Sequence, residues 1–251
     1  MSATQEDIVV ISDLHGNARA FRAALSQARN VGFDRLVILG DLLTYGIDNA
    51  EIVELVAAEQ ERGAALVIGN HDQLYFDLQR GDTVYYDRLP AWLRESVDYT
   101  FAQLDRIAFN GLSWSTEVVT RDVVLAHANP FQFGDWTYLN DEADRRRARE
   151  VLISRGAVLG VFGHTHRALT EPLPSQGNAA IANTGSIGQP RGQDNRSTML
   201  RIVVGTDAPH VSVETIDYSV DAHVQALGRA ALSPETLRKL SSYFLRREPP
   251  E

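Results

Sequence analysis

Six times along this chain, a short apolar run rich in β-branched residues breaks off into a loop of polar residues and glycine. The runs are residues 8–11, 36–39, 65–68, 123–126, 158–162 and 179–182. The first ends in Ser12-Asp13-Leu14-His15-Gly16-Asn17, the second in Gly40-Asp41 and the third in Gly69-Asn70-His71-Asp72. The fourth ends at His127, the fifth in Gly163-His164-Thr165-His166 and the sixth in Asn183-Thr184-Gly185-Ser186. Unbroken apolar runs of this length suit strands buried on both faces. Amphipathic helices are expected between them, at 18–29 with Asn17 as cap, at 48–61 with Asp48 as cap and Gly63 as terminator, and at 143–155 led by Asp141 or Asp144. Alternating strands and helices imply an α/β protein with a largely parallel central sheet. In such sheets ligands bind beyond the carboxyl ends of the strands, where all six polar loops fall.

The remainder of the chain adds to this frame. Residues 197–205 and 210–216 read as an antiparallel strand pair. Ser233-Pro234 reads as the cap and first turn of a last helix to about residue 245, with 246–251 as a frayed tail. Residues 72–115 lack a strand–motif unit and carry Tyr75, Phe76, Tyr85, Tyr86, Trp92, Tyr99 and Phe101, which suggests a helical insertion packed on one domain spanning 1–251. Asp72 is expected to cap the helix after Asn70-His71, with orientation of a histidine as the other reading. Gly40, Gly69 and Gly163 are expected to permit tight strand-to-loop turns.

Composition narrows the chemistry. The net charge is −9, from 24 basic and 33 acidic residues, which argues against a broad nucleic-acid binder but leaves room for a small anionic substrate. The chain has no cysteine, so thiolate metal sites and cysteine nucleophiles are excluded. No apolar run approaches membrane-spanning length, and a cytoplasmic protein without membrane partners is the expectation. The oligomeric state is not encoded in any motif.

Five of the seven histidines, His15, His71, His127, His164 and His166, lie in the polar loops. Independent structural histidines have no reason to gather at strand ends. Asp13 with His15, and His164 with His166, are i, i+2 pairs that face one side of an extended segment. Asp41 adds a second carboxylate, and Asn70 a neutral carbonyl oxygen. Imidazole and carboxylate together suit zinc, iron or manganese and fit calcium poorly.

In that order, the Asp-x-His, Gly-Asp, Gly-Asn-His-Asp, single His and Gly-His-Thr-His motifs resemble the calcineurin-like metallophosphoesterase superfamily, over residues 13–166 and on to Arg191. The resemblance implies a four-layer α/β/β/α sandwich with central mixed sheets. It also implies two divalent transition-metal ions, Mn²⁺ or Fe first, with Zn²⁺, Ni²⁺ or Co²⁺ as alternatives. One ion would take Asp13, His15, Asp41 and His166, and the other Asp41, Asn70, His127 and His164, with Asp41 as the bridge. By the same resemblance a metal-bridging hydroxide attacks phosphorus, and His71 protonates the leaving oxygen.

The first loop is similar to small bacterial phosphodiesterases and diadenosine-tetraphosphatase-like proteins. The stretch 183–191 is similar to a late motif of the former, which makes Arg191 the best candidate for a protein contact to a substrate phosphate; a solvated arginine is the other reading. Asn17, besides capping, is a candidate substrate contact. Gly40-Asp41-Leu42-Leu43-Thr44-Tyr45-Gly46 departs from the Gly-Asp-x-x-Asp-Arg-Gly of protein serine/threonine phosphatases, with Tyr45 where their arginine stands. Tyr45 thus becomes a candidate for hydrogen bonding or stacking on substrate. The aromatics of 129–136 are placed at the site rim. The expected activity is a phosphodiesterase on small organic or nucleotide esters. Phosphomonoesterase, dinucleoside polyphosphate hydrolase and a non-catalytic scaffold on the same fold are the alternatives.

Overall fold

A computed structural model describes residues 5–244 apart from 174–176, 193 and 207. The first sheet contains β1 (Glu6–Ile11), β2 (Arg35–Ile38) and β3 (Ala65–Leu66), joined by α1 (Ala18–Val31) and α2 (Asn49–Glu61). α3 (Asn70–Gln79) and α4 (Ala91–Phe101) follow, with single turns of 3₁₀ helix between and after them. The second sheet contains β4 (Glu117–Thr120), β5 (Val123–Ala126), β6 (Leu159–Phe162), β7 (Ala168–Thr170) and β8 (Ala180–Thr184), with α5 (Glu142–Ser154) ahead of β6. β9 (Ser197–Val204) and β10 (His210–Ile216) return to the first sheet, and α6 (Val220–Leu227) and α7 (Pro234–Ser241) close the chain.

The strand orders are β10-β9-β1-β2-β3 and β4-β5-β6-β8-β7. Each sheet has three parallel strands, β1-β2-β3 in one and β5-β6-β8 in the other, with antiparallel strands outside them. A single parallel sheet is therefore the wrong picture. Two mixed sheets pack face to face, in the four layers that the resemblance implied. Ile8, Val10, Val37 and Leu39 of the first sheet meet Val123, Leu125, Leu159 and Val161 of the second in one apolar cluster. The alternate residues Val9, Ile11, Leu36 and Ile38 face outward onto α1 and α2. Val124, Phe162 and Ile181 face outward onto Ala148 and Leu152 of α5. Both faces of the parallel strands are thus dry, which is why their sequence is apolar without alternation. The edge strands β4, β7 and β10, which carry exposed positions, lack that signature.

The caps decide how the helices enter. Asn17 Oδ1 accepts from Ala20 N at 3.1 Å and starts α1. Asp48 does not cap its own helix; its carboxylate accepts from Ala18 N at 3.2 Å and so supports α1 instead. Asp141 starts α5 and Ser233 starts α7. The last helix ends at Ser241, short of the expected 245, and the tail at 246–251 lies outside the described residues. α7 is pinned to α4 through Glu95, whose carboxylate accepts from Ser233 Oγ at 2.6 Å and from the hydroxyl of Thr236.

His223 on α6 is 1% exposed, and its Nδ1 has no hydrogen-bond partner among the described residues. Burial, helped by Arg19, holds its pKa down at about 4. A base depressed in the folded state favours folding above its unfolded value near 6.5 and loses that contribution as pH falls toward 4. The His223→Phe variant is expected to lack this part of the acid sensitivity, on the order of 3 kcal/mol between pH 7 and 4. Urea titrations of both proteins across that range check it.

Candidate metal centre

The carboxyl ends of β1, β2, β3, β5 and β6 meet at one rim of the sandwich, and their loops are stitched together by backbone hydrogen bonds. Asp13 N donates to Gly40 O at 3.0 Å, His15 N to Asp41 O at 3.0 Å, and Gly163 N to His127 O at 2.8 Å. The last of these lies within the second sheet, between the ends of β5 and β6. The crossing between sheets is made by Ile187 N to Ser12 O at 3.1 Å, Gly188 N to Asp13 O at 2.8 Å and Ser186 Oγ to Asp13 O at 2.9 Å.

Asp13, His15, Asp41, His164 and His166 all have left-handed backbone, with φ between 43° and 64°. The i, i+2 pairs are therefore not extended. Left-handed backbone disfavours residues with a Cβ, and such conformations gather where a site over-determines them. The two pairs also divide differently. Asp13 and His15 point to one group, whereas His164 and His166 point to two. Asp13, His15, Asp41 and His166 place one ligand atom each within 4.8 Å of one another; Asp41, His127 and His164 do the same. Asp41 belongs to both groups. Asn70 Oδ1 lies 3.1 Å from His127 Nε2, beside the second group.

Every imidazole in these groups is fixed by a backbone carbonyl. His15 Nδ1 donates to Leu43 O at 2.9 Å, His127 Nδ1 to Leu39 O at 2.6 Å, His166 Nδ1 to Gln189 O at 2.7 Å, and His164 Nε2 to Trp136 O at 3.0 Å. A carbonyl only accepts, so each of these nitrogens carries the proton, and a neutral ring turns its lone pair the other way. Those lone pairs converge. His15 Nε2 stands 3.1 Å from His166 Nε2, which stands 3.1 Å from Asp13 Oδ1. Each carboxylate spends its other oxygen on a backbone donor: Asp13 Oδ2 accepts from His164 N at 3.1 Å, and Asp41 Oδ1 from His71 N at 2.8 Å. Asp13 Oδ1 is buried with no hydrogen-bond donor. Acceptors that face acceptors in a buried space repel unless a cation lies among them. The donor set, carboxylate and imidazole with one amide oxygen, fits divalent transition-metal ions.

The titration pattern agrees. Burial lowers the pKa of His15, His164 and His166, that of His164 to about 3, so their rings are neutral ligands. Burial opposes charge on His127 too, but Asp41 and Asp13 outweigh it and push this ring up to about 9. A cation entering its group displaces that proton. Burial raises the carboxyl of Asp41, but the neighbouring His127 and His71 outweigh it and hold the group ionised.

Glycine is required here for close approach as much as for turning. A Cβ on Gly69 would lie 2.2 Å from Asp41 Oδ1, and one on Gly163 would lie 2.6 Å from Asp13 Oδ2. Neither has positive φ. Asp72 does cap α3, accepting from Gly69 N at 2.9 Å, but it also accepts from Asp41 N at 2.7 Å and Leu42 N at 3.0 Å. It thereby fixes the loop that carries the shared ligand.

The remaining candidates fall around this centre. Tyr45 Oη lies 3.2 Å from His71 Nε2, and its ring packs edge-on against His15. Arg191 donates to Gln189 Oε1 at 2.6 Å and lies over the rings of Tyr243 and Tyr45. Its backbone N–H holds His166 O at 3.0 Å. Asn17 is fully buried; beyond its capping bond, Nδ2 donates to Gly188 O at 3.4 Å and Tyr218 Oη at 3.2 Å. Those bonds tie its side chain to the protein's own structure. Three further tyrosines stand at the centre without a motif to announce them. Tyr85 Oη accepts from Asn70 Nδ2 at 3.3 Å, Tyr138 stacks on His164 at 3.9 Å, and Tyr243 meets Tyr45. Of the rim aromatics, Trp136 packs edge-on against His127, and its carbonyl anchors His164.

Residues 7–207 match the calcineurin-like phosphoesterase superfamily domain. The chain belongs to that superfamily. It is 28% identical over 211 residues to an uncharacterised protein of Methanocaldococcus jannaschii, covering 76% of this chain and 80% of the relative. The crystal structure of a metallophosphoesterase from Sphaerobacter thermophilus superimposes with a TM-score of 0.72 at 26% identity, over 95% of this chain and 99% of that one. A Pyrococcus horikoshii hypothetical protein shares the fold at 19% identity, with a TM-score of 0.75 over 93% of this chain and 97% of its own. Among the described residues no helix is long and apolar enough to cross a membrane.

Metal stoichiometry is expected to separate the two groups. Asp41→Ala should lose nearly all bound metal, while His164→Ala and Asp13→Ala should each keep about one ion of two. Elemental analysis of the purified, manganese-loaded proteins checks this; equal loss in all three variants would contradict the division.

Proposed function

We propose that this protein is a phosphodiesterase that hydrolyses small organic or nucleotide phosphoesters with two divalent transition-metal ions, Mn²⁺ or Fe in the first instance. The observation that carries this reading is the pair of buried acceptor groups sharing Asp41. Asp13, His15, Asp41 and His166 would hold one ion, and Asp41, Asn70, His127 and His164 the other. Two such ions supply Lewis acidity for a phosphate and lower the pKa of water.

The chain's own residues handle orientation and the proton. Burial pushes the Tyr45 phenol far above its usual range, so it stays protonated. The Arg191 guanidinium stands by the Tyr45 ring, 5.9 Å from its centroid, and can only donate. A phenol that keeps its proton can donate it to His71 Nε2, 3.2 Å away, which leaves the proton of the neutral imidazole on Nδ1, buried and without a hydrogen-bond partner among the described residues. Burial holds His71 down at about 4, aided by His166, Arg191 and His127 and opposed by Asp41. It does not rest near neutrality, as its type alone would suggest. A bound phosphoester brings negative charge within reach of the ring and raises that value, which suits a proton donor to the leaving oxygen.

Several features favour a small substrate over a protein or a duplex. The ligands are at most 4% exposed, and Tyr45, Tyr85, Tyr138 and Tyr243 stand around them. Tyr45 occupies the place of the protein-phosphatase arginine, and the net charge of −9 opposes a polyanionic duplex. The similarity to the Sphaerobacter metallophosphoesterase accords with this reading.

Turnover of bis-p-nitrophenyl phosphate in the presence of Mn²⁺ is the expected result. Absence of turnover with Mn²⁺, Fe²⁺, Co²⁺, Ni²⁺ and Zn²⁺ alike would remove the proposal. His71→Ala is expected to lower kcat by about 10²–10⁴-fold with metal content retained. Loss of metal from that variant would make His71 a structural support of the centre instead.

A further inference from the structure

His166 of the centre also lines a cavity of about 690 Å³, together with Arg167, Arg191, Asp194, Arg196 and Thr198 among others. That volume lies within the range of small-ligand sites and exceeds what a lone phosphate fills. Three guanidinium groups on one wall are out of keeping with a chain of 24 basic and 33 acidic residues. Arg191 is partly buried, whereas Arg167 and Arg196 are exposed. Arg191 is innermost, against Tyr45 and Tyr243. Arg167 follows the ligand His166 directly, and its Nε donates to Arg191 O at 3.4 Å. Arg196 pairs with the exposed Asp217 at 3.0 Å. Asp194 spends Oδ1 on the backbone N–H of Arg196 at 3.3 Å. Among the described residues neither Arg167 nor Arg191 has a carboxylate partner, although carboxylates are plentiful elsewhere on the surface. Other arginines, such as Arg35, Arg88 and Arg94, also lack one, but only Arg167 and Arg191 among these line the cavity beside His166.

We infer that this cavity receives a second phosphate of the substrate, so that the favoured ester is nucleotide-like and carries one more phosphate beyond the scissile one. The inference rests on the phosphodiesterase reading of the adjoining centre and specifies its substrate class. A phosphate offers several acceptor oxygens to planar guanidinium forks, and charge-assisted pairs of that kind are the strong ones. With Arg191 at the inner end, Arg167 and Arg196 are left to hold the outer phosphate.

The test compares the p-nitrophenyl ester of thymidine 5′-phosphate with the same ester bearing a 3′-phosphate, which adds only the second anion. The native enzyme is expected to favour the 3′-phosphorylated ester by about tenfold or more in kcat/KM. In Arg167→Ala/Arg196→Ala that ratio is expected to fall to about one. No preference in the native enzyme, or a preference that survives both substitutions, overturns the inference. Titration calorimetry with thymidine 3′,5′-bisphosphate and thymidine 5′-phosphate supplies a readout independent of turnover. If neither ester is hydrolysed, the phosphodiesterase reading fails. The bisphosphate must then still bind about tenfold more tightly than the monophosphate in the native protein alone for the subsite to stand. Equal affinities overturn it.

Discussion

The organising constraint of this molecule is a set of lone pairs aimed at one another. Four backbone carbonyls, of Leu39, Leu43, Trp136 and Gln189, take the proton-bearing nitrogens of His127, His15, His164 and His166. What remains of each ring faces Asp13, Asp41, Asn70 or another ring. Apart from the proton that His127 holds until a cation displaces it, no positive charge of the array itself offsets this repulsion in a buried space, and the fold must hold the array in place. The carbonyls that do so come from strand ends and loops of both sheets. The centre is therefore a property of the whole sandwich.

This dependence explains the architecture around the rim. Leu39 O, at the end of β2 in the first sheet, orients His127 of the second. Asp13 Oδ2, in the first sheet, fixes the backbone of His164 in the second. The apolar cluster between the sheets sets the separation at which these bonds can form. Left-handed backbone at five ligands, together with the close approach of Gly69 and Gly163, shows how little room the loops have. Local strain of about 1–3 kcal/mol at each left-handed residue is tolerable only where surrounding contacts enforce it, as Asp72 does with its three backbone donors.

Much of this was legible in the chain itself, and the failures have physical causes. The parallel strands declared themselves because both faces are dry. Their division between two sheets did not, since a strand buried on both sides has the same composition in either sheet. The edge strands β4 and β7 span four and three residues and the helix α6 eight, too short for a pattern to stand out in the sequence. Asp48 has the sequence signature of a cap, yet its carboxylate serves a helix thirty residues away in sequence. The ligand types were visible from their clustering at strand ends. Their conformation was not, because left-handed backbone at Asp and His follows from tertiary enclosure. Tyr85, Tyr138 and Tyr243 reach the site from three separate segments, and no local motif marks such an arrival.

The central claim is that two cations occupy the space between these acceptors and share Asp41. Anomalous diffraction at the manganese edge, from crystals grown with Mn²⁺, addresses it directly. The account predicts two anomalous peaks, one among Asp13, His15, Asp41 and His166 and one among Asp41, Asn70, His127 and His164, with Asp41 touching both. A single peak, or peaks away from Asp41, would contradict it.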